Sequence, residues 1–233
     1  MQTGIFLLFL FILGLSVAWF FVKEWYRNEV VRKELEAIQL STEIKFLKSQ
    51  VNPHFLFNTL NNLFSMAQQK GNDELADSIS KLSGMMRYMI YESNAEMVPL
   101  SREIEYLQNC IALNKLRFED KEAMVNFNYQ VSMQEVIIAP MIFIPFVENA
   151  FKHGVAVNKA SHIGISIAAN EQELEFTCEN PINNHIKKMN DHGTGLGLEN
   201  VKRRLELIYP GKHDLHIKNE GNKYQVILKI NLK

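Results

Sequence analysis

Three short stretches of this chain hold residues whose chemistry exceeds what packing asks of them. The first, QVNPHFLFNTLNNL at residues 50–63, sets His54 directly after Pro53, with Asn58, Asn61 and Asn62 close behind. At about 100° per residue on a helix, His54, Asn58, Asn61 and Ser65 fall on one side, and Leu56, Leu60, Leu63 and Ala67 on the other. The imidazole therefore lies on a polar stripe facing away from the leucines, and Asn58 stands one turn on, placed to hydrogen-bond it. No second His, Asp, Glu or Cys follows at the third or fourth residue, so metal ligation is disfavoured. A neutral imidazole nitrogen is a nucleophile near pH 7 and needs an electrophile.

The second stretch, IPFVENAFKHG at residues 144–154, can serve one. Glu148, Asn149 and Lys152 share a helix face. Asparagine offers a neutral oxygen to Mg²⁺, glutamate can act as a base or orient a water, and lysine neutralises phosphate. A solvated polar edge on an apolar helix is the plainer reading of the same residues. The third stretch, HGTGLGLENVKRRL at residues 192–205, places Gly193, Gly195 and Gly197 just ahead of a helix. Backbone N–H groups at such a terminus suit a phosphate. The flanking pattern is antiparallel rather than βαβ, so this is not a dinucleotide fingerprint.

The elements that must position these groups follow from periodicity. One long helix is expected over residues 24–69, because Val31, Leu35 and Ile38, then Leu40, Ile44, Leu47 and Val51, recur at steps of four and three. Gly71-Asn72 is a turn. Asp73 is expected to cap a second helix reaching about residue 91, with Leu75, Ile79, Leu82, Met86 and Met89 on its seam. Two such seams call for a homodimeric four-helix bundle. Pro99 breaks the chain, and Ser101 is expected to cap a third helix to about residue 118. Beyond residue 120 the pattern predicts strands at 124–131, 162–168, 173–178, 214–218 and 224–230. Helices are expected at 140–153, with Pro140 near the first turn and Gly154 stopping it, and at 196–209. This is an α+β domain with a largely antiparallel sheet and helices on one face.

Composition narrows the class. The chain has 233 residues, 47% hydrophobic, with a net charge of -1, which gives no support for a nucleic-acid partner. Two cysteines, Cys110 and Cys178, are too few for a disulfide framework or a cysteine metal site. Residues 4–22 read GIFLLFLFILGLSVAWFFV, 19 residues without a charge. As a helix they reach ~28 Å, near the hydrocarbon thickness of a bilayer. Trp19, Trp25 and Tyr26 are interfacial aromatics, and Lys23, Arg27, Arg32 and Lys33 follow. A single-pass anchor in the cytoplasmic (inner) membrane, with the rest of the chain in the cytoplasm, is the expectation. The missing basic n-region and small-residue cleavage site argue against a signal peptide.

Taken in order, these motifs resemble those of the LytS-type sensor histidine kinases. QVNPHFLFNTLNNL is similar to that family's phosphoacceptor motif, FVENAFKHG to its N box, and GTGLGLENVKRRLELIYP to its G box; VPLSREIEYLQNCIALNKLRF is similar to the spacer between them. Behind the anchor expected at residues 1–22, the resemblance, which covers about residue 33 to the C-terminus, implies a helical dimerisation and phosphotransfer region at 23–119 and a Bergerat (GHKL) ATP-binding two-layer α+β sandwich at 120–233. It implies ATP and Mg²⁺, with His54 as phosphoacceptor, Asn149 on the metal and Glu148 as the polar catalytic residue. Lys152, His153, Asn180, Gly193, Thr194, Gly195, Leu196 and Gly197 are the implied nucleotide contacts. It also implies transfer to the aspartate of a response regulator of the LytTR type. A non-catalytic scaffold that dimerises at the membrane is the alternative, and so is an ATPase that delivers the phosphoryl elsewhere.

The chain departs from the family pattern at two positions. Where an aspartate commonly accepts from the adenine amino group, the alternation Leu174, Phe176, Cys178 leads to Asn180, followed by Pro181. Ile144 stands where glutamine is common. Residues 181–194 are expected to form a lid over the nucleotide; Lys187 and Lys188 lie on it, and a solvated loop is the plainer reading of those two.

Overall fold

A computed structural model of the chain describes residues 2–50, 52–93, 95–118, 123–132, 136–155, 160–182 and 196–233. The chain divides into two compact units, Met1–Leu56 and Phe57–Lys233. The first is dominated by helix α1 (Gln2–Gln50). Among the described residues no helix is long and apolar enough to cross a membrane.

The expected single helix over residues 24–69 is two helices. α1 ends at Gln50, and α2 (Pro53–Gln69) starts at the proline. Pro53 has no N–H to bond back and its ring would clash with the preceding turn, whereas at a helix start both defects are harmless. Asn52 completes the new terminus, its side-chain oxygen accepting from the Phe55 N–H at 3.2 Å. The turn at Gly71 has φ +68°, a conformation glycine adopts without strain.

Helix α3 (Asp73–Arg87) is capped by Asn72 rather than Asp73: the Asn72 side chain accepts from the Leu75 N–H at 3.0 Å. It does not run to residue 91 as an α-helix. Tyr88–Glu92 form a π-helical turn closed by the Ser93 N–H on the Tyr88 carbonyl at 3.0 Å. Next comes a two-residue strand pair that periodicity had not suggested, β1 (Val98–Pro99) with β3 (Ile137–Ile138), antiparallel. α4 (Leu100–Lys115) begins directly after Pro99 and has no side-chain cap, so Ser101 is not its cap, and it ends short of residue 118.

The remaining strands are β2 (Ala123–Val131), β4 (Ser161–Ala169), β5 (Glu173–Pro181), β6 (His213–Glu220) and β7 (Lys223–Asn231). They form one sheet in the order β2-β4-β5-β7-β6. Only the β2–β4 pair is parallel. The crossover between those two contains α5 (Ile144–Gly154), and α6 (Leu196–Ile208) follows β5. The predicted strand at residues 173–178 is in register with Asn180 opposite Tyr224 and Phe176 opposite Leu228.

Strand alternation delivers Leu174, Phe176, Cys178 and Asn180 to the covered face of the sheet. There Phe176 stacks on Phe143 at 4.6 Å between ring centroids and meets Phe146 at 5.8 Å. α4 joins the same core through Leu100, Ile104, Leu107 and Ile111. Each such side chain removed from water contributes roughly 1.5–3 kcal/mol, so α5 is anchored along its whole apolar face.

Candidate functional site

α5 owes its position to a split between two sets of residues. Phe146, Val147, Ala150 and Phe151 are buried, whereas Glu148 and Lys152 are exposed and Asn149 and His153 half-buried. Pro140 is not in the first turn of this helix, as expected from sequence, but in a turn preceding it; the helix starts at Ile144, with a proline, Pro145, in its first turn, and runs through Gly154. The three polar side chains whose spacing suggested chemistry thus occupy one face of a helix fixed by aromatic packing. Burial, and then the Lys152 ammonium, hold the His153 imidazole below its ordinary pKa, which keeps it neutral near pH 7.

The far end of α5 rests on β5. Asn180 is one of three buried polar residues among those described. Its Nδ2 donates to the Pro181 carbonyl at 2.8 Å. A methyl group on Gly154 would come within 2.7 Å of the Asn180 Cβ, so glycine here is what lets helix and strand touch. The adjoining Cys178 thiol donates to the Phe146 carbonyl at 3.7 Å, and burial, helped by Glu179, pushes its pKa up to about 12. It is therefore a packing residue and not a nucleophile.

His54 and Asn58 sit on α2, one turn apart and both exposed, while Leu60 and Ala67 of the same helix are buried. The polar stripe faces as the spacing indicated. Leu63, assigned to the apolar stripe, is 46% exposed. Gly193, Thr194 and Gly195, with Lys187 and Lys188, lie outside the described residues. Leu196 begins α6, and Gly197, in its first turn, is exposed.

Sequence reasoning overlooked the residues that hold the turn ahead of α5. The Ala139 N–H donates to the Tyr209 hydroxyl at 2.8 Å. The Met141 N–H donates to Glu103, which also receives the Tyr88 hydroxyl proton. Met141 has φ +56°, the one non-glycine in the left-handed region among the described residues. Glu103 was legible in principle: it shares the apolar face of α4 with Leu100, Ile104 and Leu107, where a carboxylate needs a reason.

No group of three or more His, Cys, Asp or Glu among the described residues could hold a metal ion.

Residues 42–122 match the Histidine kinase family. Over 188 residues the chain is 28% identical to Sensor protein LytS of Staphylococcus haemolyticus, covering 76% of this chain and 32% of that protein. Over 200 residues it is 29% identical to Sensor histidine kinase YpdA of Escherichia coli, covering 82% and 34% respectively. The chain spans about a third of the length of these curated relatives. Among solved structures, the histidine kinase domain of a blue-light activated histidine kinase from Erythrobacter litoralis aligns with 84% of this chain and 94% of that one, at 16% identity and a TM-score of 0.43.

Proposed function

The chain is a relative of the LytS-type sensor histidine kinases, and from that premise we propose that it transfers the γ-phosphoryl group of ATP to His54 and then to an aspartate of a response regulator. The observation that carries this reading is the arrangement of α5. It keeps Glu148, Asn149 and Lys152 on the face its aromatic anchors leave open, and it ends against Asn180.

Each residue has a part. One nitrogen of the His54 ring attacks the γ-phosphorus with its lone pair; an N–P bond forms as the bond from the γ-phosphorus to the bridging oxygen breaks, and ADP leaves. Phosphoryl transfer asks for in-line placement and charge neutralisation more than for covalent help. Lys152 would neutralise phosphate charge, and Glu148 would orient the reacting groups beside it. Asn149 would hold Mg²⁺, which would supply further neutralisation. Asn180, its amide nitrogen engaged by Pro181, has an oxygen that can accept from the adenine amino group. His153, Leu196 and Gly197, with Gly193, Thr194 and Gly195, would complete the nucleotide cradle. Asn58 would orient the imidazole, and a response regulator of the LytTR type would receive the phosphoryl group.

The working unit would be a homodimer. Leu75, Leu82 and Met89 stand seven residues apart on α3 and its π-turn, and are 49%, 40% and 38% exposed. An apolar row at that spacing is half of a seam that a second copy would cover. We assign residues 4–22 as a single-pass anchor, because 19 uncharged residues precede a run of basic ones.

Incubation with γ-labelled ATP tests the core of this reading. Acid-labile, base-stable label is expected on the wild type, and none on His54→Gln, which should still bind nucleotide. Label that survives acid, or that persists in the variant, would refute the assignment, and absence of any label from the wild type would favour a scaffold.

A further inference from the structure

Glu103 is the one charged residue buried among those described, with an exposure of 0%. Its Oε1 accepts from both the Tyr88 hydroxyl and the Met141 N–H, while Oε2 is buried with no hydrogen bond of ordinary geometry among the described residues. A carboxylate so placed is expensive to keep where an apolar side chain would fit. The two groups it holds belong to two unusual pieces of backbone. Tyr88 opens the π-helical turn that ends α3, and such turns recur at functional sites. Met141 has the left-handed φ of +56° in the turn that leads into α5.

The neighbouring residue of α4 grips the same π-turn from the other side. Arg102 Nε donates to Glu92 Oε2 at 2.9 Å, and a second guanidinium nitrogen takes the other oxygen. Tyr88 itself lies buried against Tyr106 of α4, 4.9 Å between ring centroids. Were the π-turn to rewind as α-helix, Glu92 would turn about the helix axis relative to Tyr88, and both grips could not persist together. The turn before α5 therefore shares one carboxylate with the π-turn that ends α3.

We propose that Glu103 is a positioning residue for phosphoryl transfer: by joining the Tyr88 hydroxyl to the Met141 N–H, it ties the orientation of Glu148 and Asn149 on α5 to the winding of the π-turn that closes the phosphoacceptor helices. This rests on reading α5 as the nucleotide-binding helix. Glu103 touches no substrate; it acts through Met141. It gives the helices that follow His54 a connection of hydrogen bonds to the nucleotide helix, running through residues 88, 103 and 141.

Three variants of the full chain, purified in detergent, decide the matter. Two quantities are read on each, well below the unfolding midpoint: nucleotide affinity, by competition with a fluorescent ATP analogue, and labelling rate per bound nucleotide at saturating Mg·ATP. Glu103→Gln keeps the size but not the charge, and places an N–H₂ where one oxygen was. The labelling rate per bound nucleotide should fall about tenfold, since misplacement of reacting groups by an ångström can cost a hundredfold. Affinity should stay within about threefold of the wild type. Adding Met141→Gly, which allows φ +56° without strain, should restore most of the rate, because the turn then no longer depends on Glu103. Tyr88→Phe removes only the hydroxyl; it should slow labelling in the same sense, and it decides the question if Glu103→Gln does not fold.

An unchanged rate per bound nucleotide in the folded variants, a loss wholly explained by affinity, or a double variant no faster than Glu103→Gln would each overturn the proposal. A wild-type chain that binds ATP and takes no label would instead overturn the kinase reading, and this inference with it.

Discussion

On the proposed reading, the oxygen of Asn180 would serve the nucleotide while its amide nitrogen serves its own backbone. A carboxylate in its place would hold an adenine amino group more strongly, since hydrogen bonds to charged groups contribute roughly 1.5–3 kcal/mol against about 1 for neutral ones. The structure adds an opposing contact. The Asn180 amide nitrogen donates to the Pro181 carbonyl at 2.8 Å, and an aspartate has no N–H to replace it. Asn180→Asp would set a buried charge against a carbonyl oxygen. It should destabilise the chain by about 1–3 kcal/mol and should not tighten ATP binding. Thermal unfolding with parallel ATP and GTP titrations checks this; tighter ATP binding at unchanged stability would show that Pro181 does not govern the choice of residue. Glu103 carries a second prediction at this scale. Burial raises its pKa above the ordinary carboxylate value, outweighing the lowering effects of the Tyr88 hydroxyl, the Met141 and Ile142 N–H groups and the Arg204 charge. The folded state then binds the proton more tightly than the unfolded chain. Its contribution to stability is fullest below the ordinary glutamate pKa and declines as pH rises towards the raised one. Glu103→Gln does not titrate, so the stability of the wild type relative to this variant should fall as pH rises from about 4. A relative stability that rises over the same range would show that Glu103 is held ionised by its partners.

At the scale of elements, what could be read from sequence depended on whether the signal was local. The strands announced themselves by alternation, and Asn180 was placed on the correct face of β5 through Leu174, Phe176 and Cys178. The apolar run of α5 and the polar trio on its open face were legible for the same reason. The break at Pro53 was visible as a proline, yet the seam on either side argued for continuity, and the missing N–H won. The π-turn, the β1–β3 pair and the grip of Glu103 on Met141 depend on residues 10 to 40 positions apart, which no local period encodes. The row of Leu75, Leu82 and Met89 was legible as an apolar stripe, and its exposure gives the next prediction. If a second copy covers this row, Leu82→Glu buries two unpaired carboxylates per dimer and forfeits two leucines at about 1.5–3 kcal/mol each. The dimer should weaken by at least about two orders of magnitude. Sedimentation across a concentration series measures this; an unchanged association constant would move the dimer contact off α3.

At the scale of the whole molecule, the question is what covers α1. Its described side chains from Leu10 to Val22 are exposed, among them Phe11 at 64%, Trp19 at 72% and Phe21 at 67%. An apolar surface this continuous does not rest against water; lipid or another protein must cover it. The basic residues that follow lie close to their own acids, Arg27 to Glu24 at 3.0 Å and Arg32 to Glu29 at 2.7 Å, which suits a solvated helix beyond a membrane surface. A lipid covering and the seam farther along the chain make separable demands. Deleting residues 1–22 should move the protein from the membrane fraction to the soluble one. It should leave a dimer at micromolar concentration through residues 31–91, and label on His54 should still form. Fractionation, sedimentation and labelling of the truncated chain test the three parts in turn. A truncated chain that still sediments with membranes would place the attachment elsewhere. A soluble monomer would mean that the seam on α3 is too weak to associate without two anchors held in one bilayer.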